Sequence, residues 1–339
     1  ADDSGLMRLI ISDILNDADG IKVVDTAVDG KDATQKVLKQ DVDVLVLDMN
    51  MGDYDGKYAV EHILKKKKLP ILILSAMGNT DMDPILEVLR LGAVDYLNKP
   101  AKNKAKVRGI AKEIIAKVRE VARSNKRQIA EASKKVKVNA EQHTFASSLN
   151  YDVIVIGAST GGPTAVERVI SKLPANLPVP VLIAQHMPAN FVPSYANRLN
   201  TLTPLEVTIG RKDDELEAGK ILVASGSRNS IVKRNEQGKV VIDFVHKKFK
   251  EFNHPSIDCL MLSVAEVYGA KTIGVILTGM GKDGAIGMES IYNDGGYTVA
   301  QNKETCAVYG MPRAIEERGV ARQMVSIYEI GGFVVSCLS

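Results

Sequence analysis

Tyr151-Asp-Val-Ile-Val-Ile-Gly-Ala-Ser-Thr-Gly-Gly-Pro163 is the stretch on which the fold turns. Its aliphatic run is continuous rather than alternating, as in a parallel strand buried on both faces. Glycines then supply a tight turn, and Pro163 suits the first turn of a following helix. A strand leaving through such a turn into a helix opens a βα series.

Working outward, Val179 to Ala184, Ile221 to Ala224 and Thr272 to Leu277 are expected to be further buried strands. Residues 231–245 alternate as an antiparallel ribbon around Asn235-Glu-Gln-Gly238. Upstream, Ile21 to Ala27, Val42 to Asp48, Ile71 to Ala76 and Val94 to Leu97 read as parallel strands. Between them, Leu6 to Leu15, Ala33 to Leu38, Tyr58 to Leu64 and Ile85 to Leu91 read as helices. Val107, Ile110, Ile114, Val118 and Val121 form one apolar stripe of a further helix. The fold class is α/β: two doubly wound domains, the first flavodoxin-like, the second a Rossmann-like three-layer α/β/α sheet carrying an antiparallel ribbon. In the flavodoxin-like order a central strand should precede Asp2, so several more apolar residues are expected upstream of Ala1.

The domains are expected at 1–122 and 151–339. The chain's 339 residues suit two domains. Between them the periodicity fades into a Lys/Ala/Glu/Ser-rich linker over 123–150. Residues 101–150 hold 13 Lys and Arg against 4 Asp and Glu, whereas the whole chain nets only +3. Without aromatic interleaving this basic stripe, like Lys65 to Lys68, is taken as a solvated helix end rather than a nucleic-acid surface. No apolar run reaches the ~18 residues of a membrane span, and no signal peptide is visible, so no membrane insertion and a cytoplasmic location are expected. Cys259, Cys306 and Cys337 lack disulfide or zinc spacing and are taken as reduced packing residues.

In the first domain Asp2, Asp3 and Asp48 fall at strand C-terminal ends, where doubly wound sheets bind ligands. Converging carboxylates repel one another and suit a hard divalent cation, Mg²⁺ above all. A metal-bound carboxylate can attack a phosphoryl donor if the new charge is neutralised. Ser75 can offer a hydroxyl and Lys99, before Pro100, a cation.

Asp2-Asp3-Ser4, Val-Leu-Asp48-Met-Asn-Met, Leu-Ser75-Ala and Asn-Lys99-Pro together resemble the response-regulator receiver family over residues 1 to about 122. The resemblance implies that Asp48 accepts phosphate from a chemotaxis histidine kinase. It also implies that Asp3, Asp48 and the Asn50 backbone hold Mg²⁺ with help from Asp2, and that Tyr96 is the switch aromatic. Gly52 stands where the family often has proline, which should loosen that loop.

In the second domain Gly157-Ala-Ser159-Thr-Gly161-Gly162 admits two physical readings, a turn exposing a nucleophilic serine or a phosphate cradle. A serine hydroxyl needs a base. His186 lies directly after the next buried strand, so adjacent parallel strands would bring it to the edge that carries Ser159. Asp283, in Leu-Thr-Gly-Met-Gly-Lys-Asp-Gly, leaves another strand and could orient the imidazole. Backbone amides in that loop, Met280 for instance, could bind an oxyanion. The order Ser, His, Asp disfavours the α/β-hydrolase fold. His62, His143, His246 and His254 compete for the base role, but none follows a buried strand.

Ile-Gly-Ala-Ser-Thr-Gly-Gly-Pro, Gln-His-Met-Pro, Leu-Thr-Gly-Met-Gly-x-Asp-Gly and Val-Tyr-Gly-Met-Pro resemble the catalytic domain of bacterial chemotaxis protein-glutamate methylesterases, over 151 to about 339. The resemblance implies Ser159 as nucleophile, His186 as base and acid, Asp283 as its orienting partner, and Thr160 and Met280 lining the site. It implies hydrolysis of glutamyl methyl esters on methylated chemoreceptors, with deamidation of receptor glutamines as a companion activity and no cofactor for the esterase. A hydrolase of small esters and a noncatalytic adaptor under receiver control are the rival readings.

Overall fold

The structure is a computed structural model describing residues 1–75, 82–100, 104–124, 138, 142–146, 149–245 and 255–338, with side chains omitted at 104–106. Ala76, His246, His254 and most of the 123–150 segment lie outside the described residues. The chain forms two compact units, Ala1–Lys134 and Lys135–Ser339.

The first unit alternates α1 (Gly5–Asn16), α2 (Gly30–Lys39), β1 (Leu45–Leu47), α3 (Gly56–Leu64), β2 (Ile71–Ser75), α4 (Asp83–Leu91), β3 (Asp95–Asn98), α5 (Lys104–Gly109) and α6 (Ala111–Ala122). Ser4, Asp29 and Asp55 start α1, α2 and α3 by accepting first-turn backbone amides, which relieves the orphan donors of each helix N-terminus. The strands form a parallel sheet in the order β1-β2-β3. Val107, Ile114, Val118 and Val121 are buried with Met7, Ile10 and Leu74 in one core. The expected single helix is broken at Ile110, so the stripe is shared by α5 and α6.

Ile21 to Ala27 is not a strand, contrary to the expectation. A strand exists only through a neighbour that takes its amides and carbonyls. Here the 21–27 segment meets such a neighbour only at its end: Asp2 N donates to Ala27 O (3.1 Å), and on the other side Asp48 N donates to Ala1 O (2.9 Å). Residues 1 and 2 thus occupy the position of a central strand between the 21–27 segment and β1.

The second unit holds β4 (Val153–Ala158), α7 (Gly162–Ile170), β5 (Val181–Gln185), α8 (Val192–Asn200), β6 (Glu206–Ile209), β7 (Lys220–Val223), β8 (Asn229–Arg234) and β9 (Val240–Val245). It continues through α9 (Ile257–Tyr268), β10 (Thr272–Ile276), α10 (Ala285–Asn293), β11 (Tyr297–Gln301), α11 (Met311–Glu317), β12 (Gln323–Val325) and α12 (Ile330–Cys337). Seven parallel strands run in the order β12-β11-β10-β4-β5-β7-β6, and β8 and β9 form the antiparallel ribbon. The chain first builds outward from β4 through β5, then returns and builds the other way from β10. The boundary between β4 and β10 is therefore the topological switch point, where loops diverge and leave a crevice.

Gly157 closes β4 beneath this crevice. A Cβ there would lie 2.4 Å from Ile257 Cγ2 and 2.8 Å from Ile276 Cδ1. The missing side chain lets the start of α9 settle on the strand ends. We expect Gly157→Ala to cost about 1–3 kcal/mol through overpacking. Gly332→Ala on α12, where the new methyl meets open space, is expected to stabilise by about 0.5–1 kcal/mol. Urea unfolding midpoints of the two variants check both signs.

Candidate active site

Three neighbouring strands deliver the three side chains. β4 ends at Ala158 and places Ser159 in the turn that opens α7. β5 pairs with β4 in a register that sets Gln185 opposite Ala158, and the next residue, His186, donates its amide to Ala158 O (2.9 Å). β10 pairs with the other edge of β4, and its exit loop carries Asp283. His186 Nδ1 lies 3.0 Å from Ser159 Oγ, and His186 Nε2 lies 2.7 Å from Asp283 Oδ2. An ionised carboxylate only accepts, so Nε2 carries the proton and Nδ1 presents its lone pair to the serine hydroxyl. Ser159 is only 8% exposed, so its hydroxyl lies at the floor of the crevice.

The backbone around Ser159 is held from several sides. Ser159 N donates to Thr278 O (3.1 Å), and Gly162 N donates to Ser159 O (2.7 Å). Gln185 Nε2 donates to Ser159 O (2.9 Å) and to His186 O (3.1 Å). Gly161 is left-handed at φ 74°, and a Cβ on Gly162 would meet Gln185 Oε1 at 2.2 Å. These contacts weigh on the two readings of the glycine-rich turn. Phosphate cradling needs free amides at the helix start, whereas the amides of Ser159 and Gly162 are used inside the protein.

Asp283 is 3% exposed yet fully partnered. Its Oδ2 accepts from Ile257 N (2.8 Å), and its Oδ1 accepts from Asp258 N (2.9 Å), Gly284 N (3.1 Å) and Ser256 Oγ (3.3 Å). The Ile257 and Asp258 amides are the unpaired N-terminal donors of α9, so the positive end of that helix faces the carboxylate. Burial alone would raise the Asp283 carboxyl, but the His186 hydrogen bond and charge, with the α9 amides, hold it below its ordinary value.

Thr160 is buried, and its carbonyl accepts from Thr278 Oγ1 (3.0 Å), which in turn accepts from Val308 N (2.9 Å). Thr278 N donates to Gln301 Oε1 (2.8 Å). Met280, half-buried, lies between Gly279, whose carbonyl accepts from Met311 N (2.8 Å), and Gly281, left-handed at φ 85°. Thr278 and Gln185 were not legible as site residues, since nothing in their local sequence separates a buried strand-end polar group from an ordinary loop residue. Ser256, by contrast, precedes an apolar run, which is a helix N-cap signal. Among the competing histidines, His62 lies in the first unit stacked on Tyr58 at 3.9 Å, and His143 is tied through its backbone to the Asn176 side chain.

In the first unit the ligand oxygens of Asp2, Asp3 and Asp48 lie within 4.8 Å of one another. The Lys99 ammonium bridges two of them, donating to Asp2 Oδ2 (2.7 Å) and Asp48 Oδ2 (2.8 Å). Burial raises the Asp48 carboxyl above its ordinary value against the opposing pull of Lys99. Burial would lower Lys99, but its hydrogen bonds to the two acids outweigh it and raise the ammonium. Ser75 Oγ is buried at the end of β2 with no hydrogen-bond partner among the described residues, as suits a hydroxyl awaiting an incoming oxygen. Tyr96 is buried, and burial raises its hydroxyl well above the ordinary value. Asn50 is exposed two residues after Asp48. Gly52 sits at φ 72°, a backbone conformation closed to proline. Three hard carboxylates converging at this distance fit a small divalent cation.

The depressed Asp283 carboxyl has a thermodynamic consequence. The unfolded chain binds its proton first as pH falls, so this group's contribution is present above about its ordinary value of 3.8 and disappears as pH drops through the lower folded value. Asp283→Ala should lower the unfolding free energy at pH 7 by about 3 kcal/mol, because it strands buried donors. It should also flatten the acid limb of stability against pH, and urea titrations from pH 3 to 7 would record both changes.

The family described as CheB methylesterase matches residues 154–334, and the response regulator receiver domain matches residues 1–110. A protein of Archaeoglobus fulgidus named protein-glutamate methylesterase/protein-glutamine glutaminase is 37% identical over 99% of this chain and 96% of its own length. A Symbiobacterium thermophilum protein of the same name is 36% identical over 97% of this chain and 93% of its own length. The crystal structure of the Thermotoga maritima CheB methylesterase catalytic domain superposes with a TM-score of 0.54 at 36% identity, covering 56% of this chain and 99% of that one. With the strand-end serine, histidine and aspartate in one relay behind a receiver fold, the chain belongs to the CheB methylesterase family.

Proposed function

We propose that this protein is a phosphorylation-regulated protein-glutamate methylesterase that removes methyl esters from chemoreceptor glutamates. The observation that carries the reading is the single imidazole held between Ser159 Oγ and Asp283. His186 Nδ1 takes the serine proton as Oγ attacks the ester carbonyl. Asp283 fixes the tautomer and stabilises the imidazolium. Backbone amides of the loop that holds Met280, with Thr160 beside Ser159, line the space for the tetrahedral oxyanion. The imidazolium returns its proton to the leaving methoxide, methanol departs, and an acyl-serine remains. Water, deprotonated by His186, then releases the glutamate carboxylate and restores Ser159. The same attack on a carboxamide would release ammonia, so glutamine side chains are a second substrate class, as the names of the relatives suggest.

The receiver supplies control. Asp2, Asp3, Asp48 and the Asn50 carbonyl would hold Mg²⁺, which when bound offsets the repulsion between the acids and an incoming phosphoryl group. Asp48 takes the phosphoryl group from a histidine kinase, Lys99 pairs with the new charge, and the Ser75 hydroxyl donates to a phosphoryl oxygen. Tyr96 would change its packing with that event. The domain order supports a receiver that restrains the esterase until Asp48 is phosphorylated. No helix among the described residues is long and apolar enough to cross a membrane; in this reading the chemoreceptor is the membrane-bound partner, and the enzyme meets it from the cytoplasm.

Methanol release from methylated receptor membranes, with Mg²⁺ and a small-molecule phosphodonor, tests the assignment. Ser159→Ala should lower the rate about 10⁴-fold or more. Equal release by the variant would overturn the esterase. Asp48→Asn should leave the unstimulated rate in place and abolish its increase with the phosphodonor. Stimulation that survives in that variant would remove Asp48 from the switch.

A further inference from the structure

Asp258 is a buried acid that the relay does not use. It is 7% exposed in the first turn of α9, and its carboxylate meets the start of α10. There its Oδ1 accepts from Gly287 N at 2.8 Å, with the Ile286 and Gly284 amides also directed at it. Asp283, one residue before the α10 N-cap Gly284, accepts in turn from the Ile257 and Asp258 amides of α9. Each helix therefore has its orphan N-terminal donors satisfied by an acid from the start of the other. The two helices meet closely at this place: a Cβ on Gly287 would lie 2.4 Å from Met261 Cβ.

We propose that Asp258 is a positioning residue of the esterase, holding the Asp283 loop in the geometry that aims Asp283 at His186 through this reciprocal capping of α9 and α10. Asp283 is held by α9 amides, but its own backbone belongs to the segment 277–284, which is rich in glycine. Gly279, Gly281 and Gly284 give that segment little stiffness of its own, and Gly281 and Gly284 adopt positive φ. Its far end runs into the start of α10, which packs through Ala285 and Met288 in the core and whose Gly287 amide is accepted by Asp258. Loss of the Asp258 acceptor frees the Gly287 end of the loop and lets Asp283 rotate relative to Nε2. Sub-ångström misplacement of a relay member is costly in rate.

The arrangement also has an electrostatic cost. Burial first, and then the neighbouring Asp283 charge, raise Asp258 to about 6 despite the opposing Gly287 amide. The cap does not need that charge, because a neutral carboxamide oxygen also accepts from Gly287 N. Asp258→Asn should therefore preserve the geometry while relieving the repulsion.

The inference rests on the esterase reading, so the test carries a readout that needs no substrate. In the full-length protein, the low-field proton resonance of His186 Nε2–H bonded to Asp283 is recorded for wild type, Asp258→Asn and Asp258→Ala. Methanol release from methylated receptor membranes is measured alongside, with Asp258→Ser replacing the alanine variant if that protein does not fold. Asp258→Ala should lose or broaden the resonance and lower kcat about 10–100-fold with KM changed less than twofold. Asp258→Asn should keep the resonance and at least a third of kcat. A folded Asp258→Ala with resonance and kcat unchanged overturns the proposal, as does an asparagine variant as impaired as alanine. If wild type itself releases no methanol, the esterase reading fails, and the resonance alone decides for or against the positioning role.

Discussion

Keeping Asp283 ionised in a nearly dry site is the constraint on which the rest of the catalytic unit depends. A carboxylate removed from water is expensive unless its oxygens are hydrogen-bonded and its charge is answered. Here both oxygens are occupied by the first amides of α9, by Ser256 and by the imidazole. The helix terminus supplies fixed partial positive charge without bringing a second titratable cation into the site. That leaves His186 as the group that changes protonation during the proposed turnover.

This solution dictates the packing around it. The start of α9 must come within hydrogen-bonding distance of a loop leaving β10, directly above the end of β4. Gly157 makes room for Ile257 from below, and Gly284 lets the loop turn against Ile276 and Ile257. The parallel register of β5 with β4 sets His186 beside Ser159, while the α9 amides hold Asp283 against the other face of the imidazole. The switch point is thus more than a crevice. It is the place where three strand exits come together and where the start of α9 completes the alignment of the third side chain.

The receiver handles its buried acids in another way. Asp2 and Asp48 face a side-chain cation, the Lys99 ammonium, rather than a fixed helix dipole. A side-chain cation can follow the charge when a metal ion or a phosphoryl group arrives; a helix terminus cannot. The contrast matches the tasks proposed for the two sites. One must change its charge state and signal the change, and the other must hold one geometry through every cycle.

Much of this was legible in the sequence because it depends on short-range pattern. Continuous aliphatic runs mark β4, β5, β7 and β10, glycine-rich exits mark the turns, and Ser159, His186 and Asp283 each follow such a run. The strands β6, β11 and β12 are not legible in this way because edge and outer strands carry shorter or mixed runs, as in Tyr297–Gln301 and Gln323–Val325. Ile21 to Ala27 had the composition of a strand but not its partner, and pairing is a property of two segments, not one. The sequence by itself determined the α/β class, the ribbon and which side chains could do chemistry. Only the tertiary structure decided which imidazole nitrogen meets which partner, that the Ser159 amide is spent on Thr278 O, and that Asp258 and Asp283 cap each other's helices. Those features join residues 25 or more positions apart, and their energies depend on distance and burial, which no local stretch of chain encodes.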